Sequence, residues 1–305
     1  MDAFAAGLSP KLYRKNPFRL LGLPSHARRR SVKRRANALV GLIEAGDAEG
    51  LREEVIGGFT AAPDEPVLRE ASHRLEQPEE RLLDEVFWFR ADEDGASGPL
   101  GGPDAWPMRD HVQRWIEEEN FGPEETRVLA THNLAVFFHL IAVEIETKLC
   151  EEGVEELARE GLRDDAVSAW SATLDRWRRL AVNPAFTAWL RERFDAAANG
   201  RFEDGDFDEV ARVAREGAMA VMADIALDHA RRDQRDEVVR LRRLVDARAE
   251  SEVFARAAER LVHPRIERQM RVIEREKDTL QDDKANAQAN NHPHNTKQTH
   301  NHKHN

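Results

Sequence analysis

From Arg109 to about Leu280, apolar residues recur every three or four positions, and turn-forming residues are confined to a few clusters. Those clusters fall at Gly122-Pro123, Gly161, Asn183-Pro184, Gly200 to Gly205 and His263-Pro264. A 3.6-residue period broken only at such points leaves the chain one inexpensive way to satisfy its backbone, a succession of amphipathic α-helices. Val167, Trp170, Leu174 and Trp177 form one stripe, and Phe186, Trp189, Leu190 and Phe194 another. Both are expected in a core. Pro264 suits the first position of a last helix carrying Ile266, Met270 and Ile273. No segment alternates with period two, so the expected fold class is all-α, with helix exceeding about 60% of residues 9–280.

Punctuation divides the 305 residues further. Four Gly and three Pro fall between Ala91 and Met108, which reads as a linker. The expected organisation is a helical module at 9–90, the linker at 91–108, a helical domain at 109–280 and a tail at 281–305. That tail holds six Asn and five His but only three apolar residues, all Ala, too few to offset the entropy of ordering it. The longest apolar run, Leu134 to Val143, is interrupted by His139 and is short of the roughly 20 residues a bilayer requires, so no membrane association is expected. A single cysteine, Cys150, cannot make an internal disulfide, and the first 20 residues lack a secretory apolar run. A cytoplasmic protein is expected.

Charge is distributed unevenly. The net charge is −11, yet residues 3–43 contain ten Lys or Arg and no acid, leaving −21 on the remainder. A basic end on an acidic chain suits a locally acidic partner, while the bulk of the molecule opposes a long phosphate backbone. Residues 44–99 strengthen that opposition with sixteen acids against five Arg.

The basic end has its own pattern. Asn16-Pro17-Phe18-Arg19-Leu20-Leu21-Gly22-Leu23-Pro24 is a short apolar element stopped by Gly and Pro. A helix follows in which Val32, Ala36, Leu39, Val40 and Ile43 form the inner face and Arg29, Arg30, Lys33, Arg34 and Asn37 the outer. A second helix from about Pro66 has Val67, Ala71, Leu75, Leu82 and Val86 as its apolar side and ends in Phe87-Trp88-Phe89. This run resembles a J-domain, the helical hairpin of DnaJ-type co-chaperones, over Leu20 to Leu39 and Ala71 to Phe87. The resemblance implies that Arg29, Arg30, Lys33 and Arg34 form a partner-binding face toward a heat-shock chaperone ATPase or a relative. The family's stimulatory His-Pro-Asp is absent: Glu44-Ala45-Gly46 stands there. In the helical domain, Leu134, Ala135 and Phe138, with Ala166 and Trp170, are similar to a tetratricopeptide-type repeat, which implies a second protein partner.

His132, His139 and Glu146 share a helix face, but seven residues rise about 10.5 Å, too far for two imidazoles to hold one metal. They are expected to flank a buried stripe. Cys150 is expected to have no cation beside it. No cofactor and no enzymatic activity are expected. Closely spaced tail histidines such as His292 and His294 would bind Zn or Ni weakly. The reading is a non-enzymatic adaptor or degenerate co-chaperone; the alternatives are a nucleic-acid-associated protein using residues 11–35 and a purely structural scaffold.

Overall fold

A computed structural model describes residues 8–47, 50, 63–90, 109–151, 153–198, 204–248, 251–257 and 259. The linker at 91–108, the helix expected after Pro264 and the Asn/His-rich tail lie outside them. The described residues are 79% helical with no strand, as the apolar period requires.

The short helix α1 (Pro17–Leu21) is tightly framed. Asn16 Oδ1 accepts from the Phe18 amide at 3.0 Å, and Pro17 occupies the first turn, where a missing N–H costs nothing. Gly22 ends the helix at φ 61°, a left-handed conformation that favours glycine. Helix α2 (Arg29–Glu44) buries Val32, Ala36, Leu39 and Val40. Helix α3 (Glu65–Arg74) is capped by Asp64, whose carboxylate accepts from the Val67 amide at 3.0 Å. Pro78 cannot supply the N–H that would continue α3, so a new helix, α4 (Pro78–Val86), starts there. The expected apolar stripe is corrected at one position: Val67 is 40% exposed, and its neighbour Leu68 is buried with Ala71 and Leu75. Both choices have helical spacing, and the packing of α3 against α1 and α2 decides between them.

The rest is a stack of helices: α5 (Arg109–Phe121), α6 (Glu124–Leu149), α7 (Glu156–Ala181), α8 (Pro184–Ala198), α9 (Asp204–Arg231), α10 (Arg235–Asp246) and α11 (Ser251–Ala257). The turn from α5 to α6 needs Gly122, because a Cβ there would lie 2.6 Å from the Glu118 carbonyl oxygen. Asn183 caps α8 by accepting from the amides of Ala185 and Phe186 at 2.8 and 3.1 Å. Helices α6 and α7 form the most extensive pairing, and α9 packs on α7, α10 and α11. At 26 residues, α6 is far longer than its uninterrupted apolar run suggested, and it is long and apolar enough to cross a membrane. Here 67% of its most apolar window is buried by other parts of the protein.

The N-terminal hairpin and the stack share one hydrophobic cluster, running from Leu8 to Val245. The aromatic end of α4 makes the connection. Phe87 packs on Trp177 with centroids 5.3 Å apart, and Phe89 stacks on Trp115 at 5.6 Å. All of Phe87, Trp88 and Phe89 are buried. Asn133 fixes the following residue by donating to the Arg90 carbonyl at 2.9 Å and accepting from its amide at 2.8 Å. The Arg90 guanidinium lies 4.0 Å above the Trp189 ring, and burial lowers its pKa to about 10.

Candidate functional site

Two regions concentrate charge. The first is the outer face of α2. Arg29, Arg30, Lys33 and Arg34 are all exposed there, opposite the buried Val32, Ala36 and Leu39. Arg29 and Lys33 both reach Glu76, at 3.3 and 3.1 Å, and these contacts hold the Glu76 carboxyl below its ordinary range, Lys33 most strongly. Among the described residues no such partner is seen for Arg30 or Arg34. The helix begins at Arg28 without a side-chain cap and has no acid in its first turn. The positive end of the helix dipole therefore coincides with Arg28, Arg29 and Arg30, an arrangement that costs helix stability and concentrates positive potential.

A groove of about 480 Å³ borders this end, lined by His26, Arg28, Arg29, Arg81, Glu85 and Arg193 among others. Its floor is neutralised internally. Arg193 donates to both oxygens of the buried Glu85, at 2.8 and 2.9 Å. Arg81 donates to Glu85 at 2.7 Å and to the Ala27 carbonyl at 2.7 Å. The outward charge is thus left to the α2 arginines.

The second region is the inner face of α6. Contrary to the expectation that they flank a buried stripe, His132, His139 and Glu146 are all fully buried. Each finds a separate partner. His132 Nε2 donates to the Val86 carbonyl at 2.8 Å, and His139 Nδ1 lies 2.8 Å from the Tyr13 hydroxyl. Burial drives both imidazoles down to about pKa 3, helped at His132 by the Arg90 charge, so both are neutral. Burial likewise raises the Tyr13 hydroxyl well above its ordinary range.

Glu146 is the hub of a charged cluster. Arg240 Nη2 bridges its two oxygens at 2.7 and 2.8 Å, Trp170 Nε1 donates at 3.0 Å and His229 Nε2 at 2.9 Å. Arg240 also donates to Glu237 at 2.9 Å, and Glu237 accepts from Arg163 at 2.7 Å. The other nitrogen of His229, Nδ1, lies 2.7 Å from Gln234 Oε1 and 3.6 Å from Cys150 Sγ. Burial opposes charge on His229, but its hydrogen bonds to Cys150, Glu146 and Gln234 prevail and raise its pKa to about 10. The expectation that Cys150 has no cation beside it is therefore corrected. The partner comes from α9, 79 residues away, where no sequence-local pattern would reveal it.

Among the described residues, no group of three or more His, Cys, Asp or Glu side chains is placed to hold a metal ion. His229, Arg240, Glu237, Glu85 and Arg193 were not singled out by sequence reasoning. Arg240 and Glu237 sit on a strongly amphipathic helix, where they read as its solvated edge. The chain matches no protein-family model, no curated protein and no solved structure.

Proposed function

We propose that the chain is a non-enzymatic adaptor of the degenerate co-chaperone kind, acting in the cytoplasm. The exposed arginines of α2 engage an acidic surface on a heat-shock chaperone ATPase or a relative, while the helical stack holds a second protein. The observation that carries this reading is the placement of Arg29, Arg30, Lys33 and Arg34 on one exposed face at a helix N-terminus, with Glu76 as the acid within reach of that face. The J-like order of helices supports the partner class. The absence of His-Pro-Asp, with Glu44-Ala45-Gly46 at the end of α2 in its place, supports recruitment without stimulated ATP hydrolysis.

The test compares two charge reversals in the full chain, binding being measured to a purified heat-shock ATPase. Arg30→Glu with Arg34→Glu removes the cations that make no ion pair with Glu76; Arg29→Glu with Lys33→Glu also sets like charges against Glu76. The first pair should cut the association rate about tenfold near 0.15 M salt, with a smaller effect at high salt, and leave the melting temperature unchanged. Binding that is indifferent to the reversal would defeat the proposal. Submicromolar binding of duplex DNA with a steep salt slope would transfer it to the nucleic-acid alternative.

A further inference from the structure

A cavity of about 470 Å³ opens where α7, α9 and α11 meet, within the usual size range of small-molecule sites. Its floor is apolar. Leu174 and Trp177 come from α7 and Met219 from α9, all three buried, and half-buried Val253 walls the α11 side. Ala181 and Ala218 complete the lining with only a methyl group each, which leaves the volume unfilled.

Around that floor stand three guanidiniums, those of Arg178, Arg215 and Arg256, one from each helix. The single acid of the lining does not balance them, because Glu216 already accepts from Arg212 at 2.9 Å. Arg178 and Arg256 have only loose, exposed contacts, 3.9 Å to Asp175 and 3.8 Å to Glu252, of a kind worth little in water. Asp175 is moreover shared with Arg248, which lies nearer at 3.3 Å. Arg215 has neither a hydrogen bond nor an ion pair among the described residues. Three like charges over a low-dielectric floor focus positive potential into the cavity. One atom of a wall residue is also unsatisfied: Trp177 Nε1 is buried without a hydrogen-bond partner, whereas Nε1 of the neighbouring Trp170 donates to Glu146. Buried polar groups are normally paired, so this one points to an occupant that brings oxygen acceptors along with apolar surface.

We propose that this cavity binds the monoanion of a medium-chain fatty acid, with the carboxylate among the three arginines and the hydrocarbon chain on Leu174, Trp177 and Met219. Each half of the site rejects what lacks the other half. A neutral alcohol of the same length forfeits the charged headgroup contacts, an alkylammonium is repelled, and acetate has nothing to lay on the floor. Between Leu174 and Ala181 the α7 wall rises about 10.5 Å, which favours a chain of medium length. Met219 supplies an unbranched, adaptable side chain against which such a chain can settle. The site is independent of the basic face of α2 and of the partner proposed for it.

Calorimetric titration of the full chain with decanoate, kept below its micelle concentration, should show a single site with Kd below about 0.1 mM. Decanol and decylammonium should bind at least about tenfold more weakly. Arg215→Glu, which breaks no contact, should weaken decanoate about tenfold and leave the melting temperature unchanged. Arg69→Glu, a reversal on α3 in the hairpin, should leave the affinity as it was. The proposal is overturned by the lack of saturable binding, by equal affinity for decanol or decylammonium, by undiminished affinity in Arg215→Glu, or by a matching loss in Arg69→Glu. Adsorption to phosphatidylglycerol vesicles without uptake of monomeric decanoate would overturn it too, and would make the arginines a membrane contact.

Discussion

Glu146→Gln changes one oxygen into an NH₂ group in a site built wholly of donors. Trp170 Nε1, Arg240 Nη2 and His229 Nε2 all point at the carboxylate from 2.7 to 3.0 Å. The amide can accept from one side only, and its own N–H groups must face another N–H. Removing one partner of a buried ion pair typically costs about 3–5 kcal/mol. Two features of the cluster set the value toward the lower end: Arg240 keeps Glu237 at 2.9 Å, and His229 can shed its proton. About 3 kcal/mol is expected, which for a chain of this size lowers Tm by roughly 6–12 °C. Urea unfolding followed by tryptophan fluorescence measures it, with Trp170 in the affected site. The variant should also show a smaller decline in stability above pH 6.5 than the parent, since Glu146 no longer joins Cys150 and Gln234 in holding the proton on His229. A loss below about 1 kcal/mol at unchanged m-value, or an unaltered alkaline decline, would refute the claim that Glu146 is the hub.

The buried titrating groups predict a stability maximum near pH 6.5. His132 and His139 fall to about pKa 3 on folding, so the stability they allow is lost as pH drops from about 6.5 through 3. Asp84, raised to about 8 by burial against the pull of Arg74, opposes one of them between its unfolded value and 8. The net gain from pH 4 to 6.5 is then about 1.4 kcal/mol per unit. His229, raised to about 10, contributes fully below 6.5 and loses that contribution as pH rises through 10. A Tm profile that is flat, or highest near pH 9, would contradict this balance. Two helical glycines should behave oppositely. A Cβ on Gly217 would run into the Phe87 ring and lie 3.3 Å from Leu8 Cδ2, so Gly217→Ala should destabilise by about 1–3 kcal/mol. Gly161, through which α7 runs although the sequence marked it as a turn point, has nothing within 4 Å and should gain about 0.5–1 kcal/mol as Ala. Thermal melts of the two variants that shift in the same direction would show the packing at Gly217 to be looser than described.

The helices were legible because their evidence is local. Val32, Ala36, Leu39 and Val40 declare a face with no reference to the rest of the chain, and so do Trp170, Leu174 and Trp177. Proline and asparagine mark the starts of α1 and α8 for equally local reasons. What the sequence concealed is where polar residues go. His132, His139 and Glu146 have the right spacing for either a rim or an interior, and the choice rests on Val86, Tyr13, His229 and Arg240, between 46 and 126 residues away. Asp84 and Glu85 look like solvent-facing acids until Arg74 and Arg193 are found against them. At Val67 and Leu68 the period itself was ambiguous, and a neighbouring helix resolved it. The basic face of α2 was legible as a face; the sharing of Glu76 by Arg29 and Lys33 was not.

The insertion of Phe87, Trp88 and Phe89 between the helices of the stack bears on how mechanical load would travel. A partner pulling on α2 pulls, through Val32 and Leu39, on the hairpin core, and the hairpin is riveted to the stack by rings gripped between Trp177 and Trp115. Little slack exists there for the hairpin to swing as an independent arm. Cutting the chain after Arg90 would leave those rings in water on one fragment, and on the other a His132 and an Asn133 facing carbonyls that have gone. The hairpin is thus a poor candidate for transplantation onto another protein. Force applied at its basic face would be resisted by the whole body at once, and yielding would come as a single rupture.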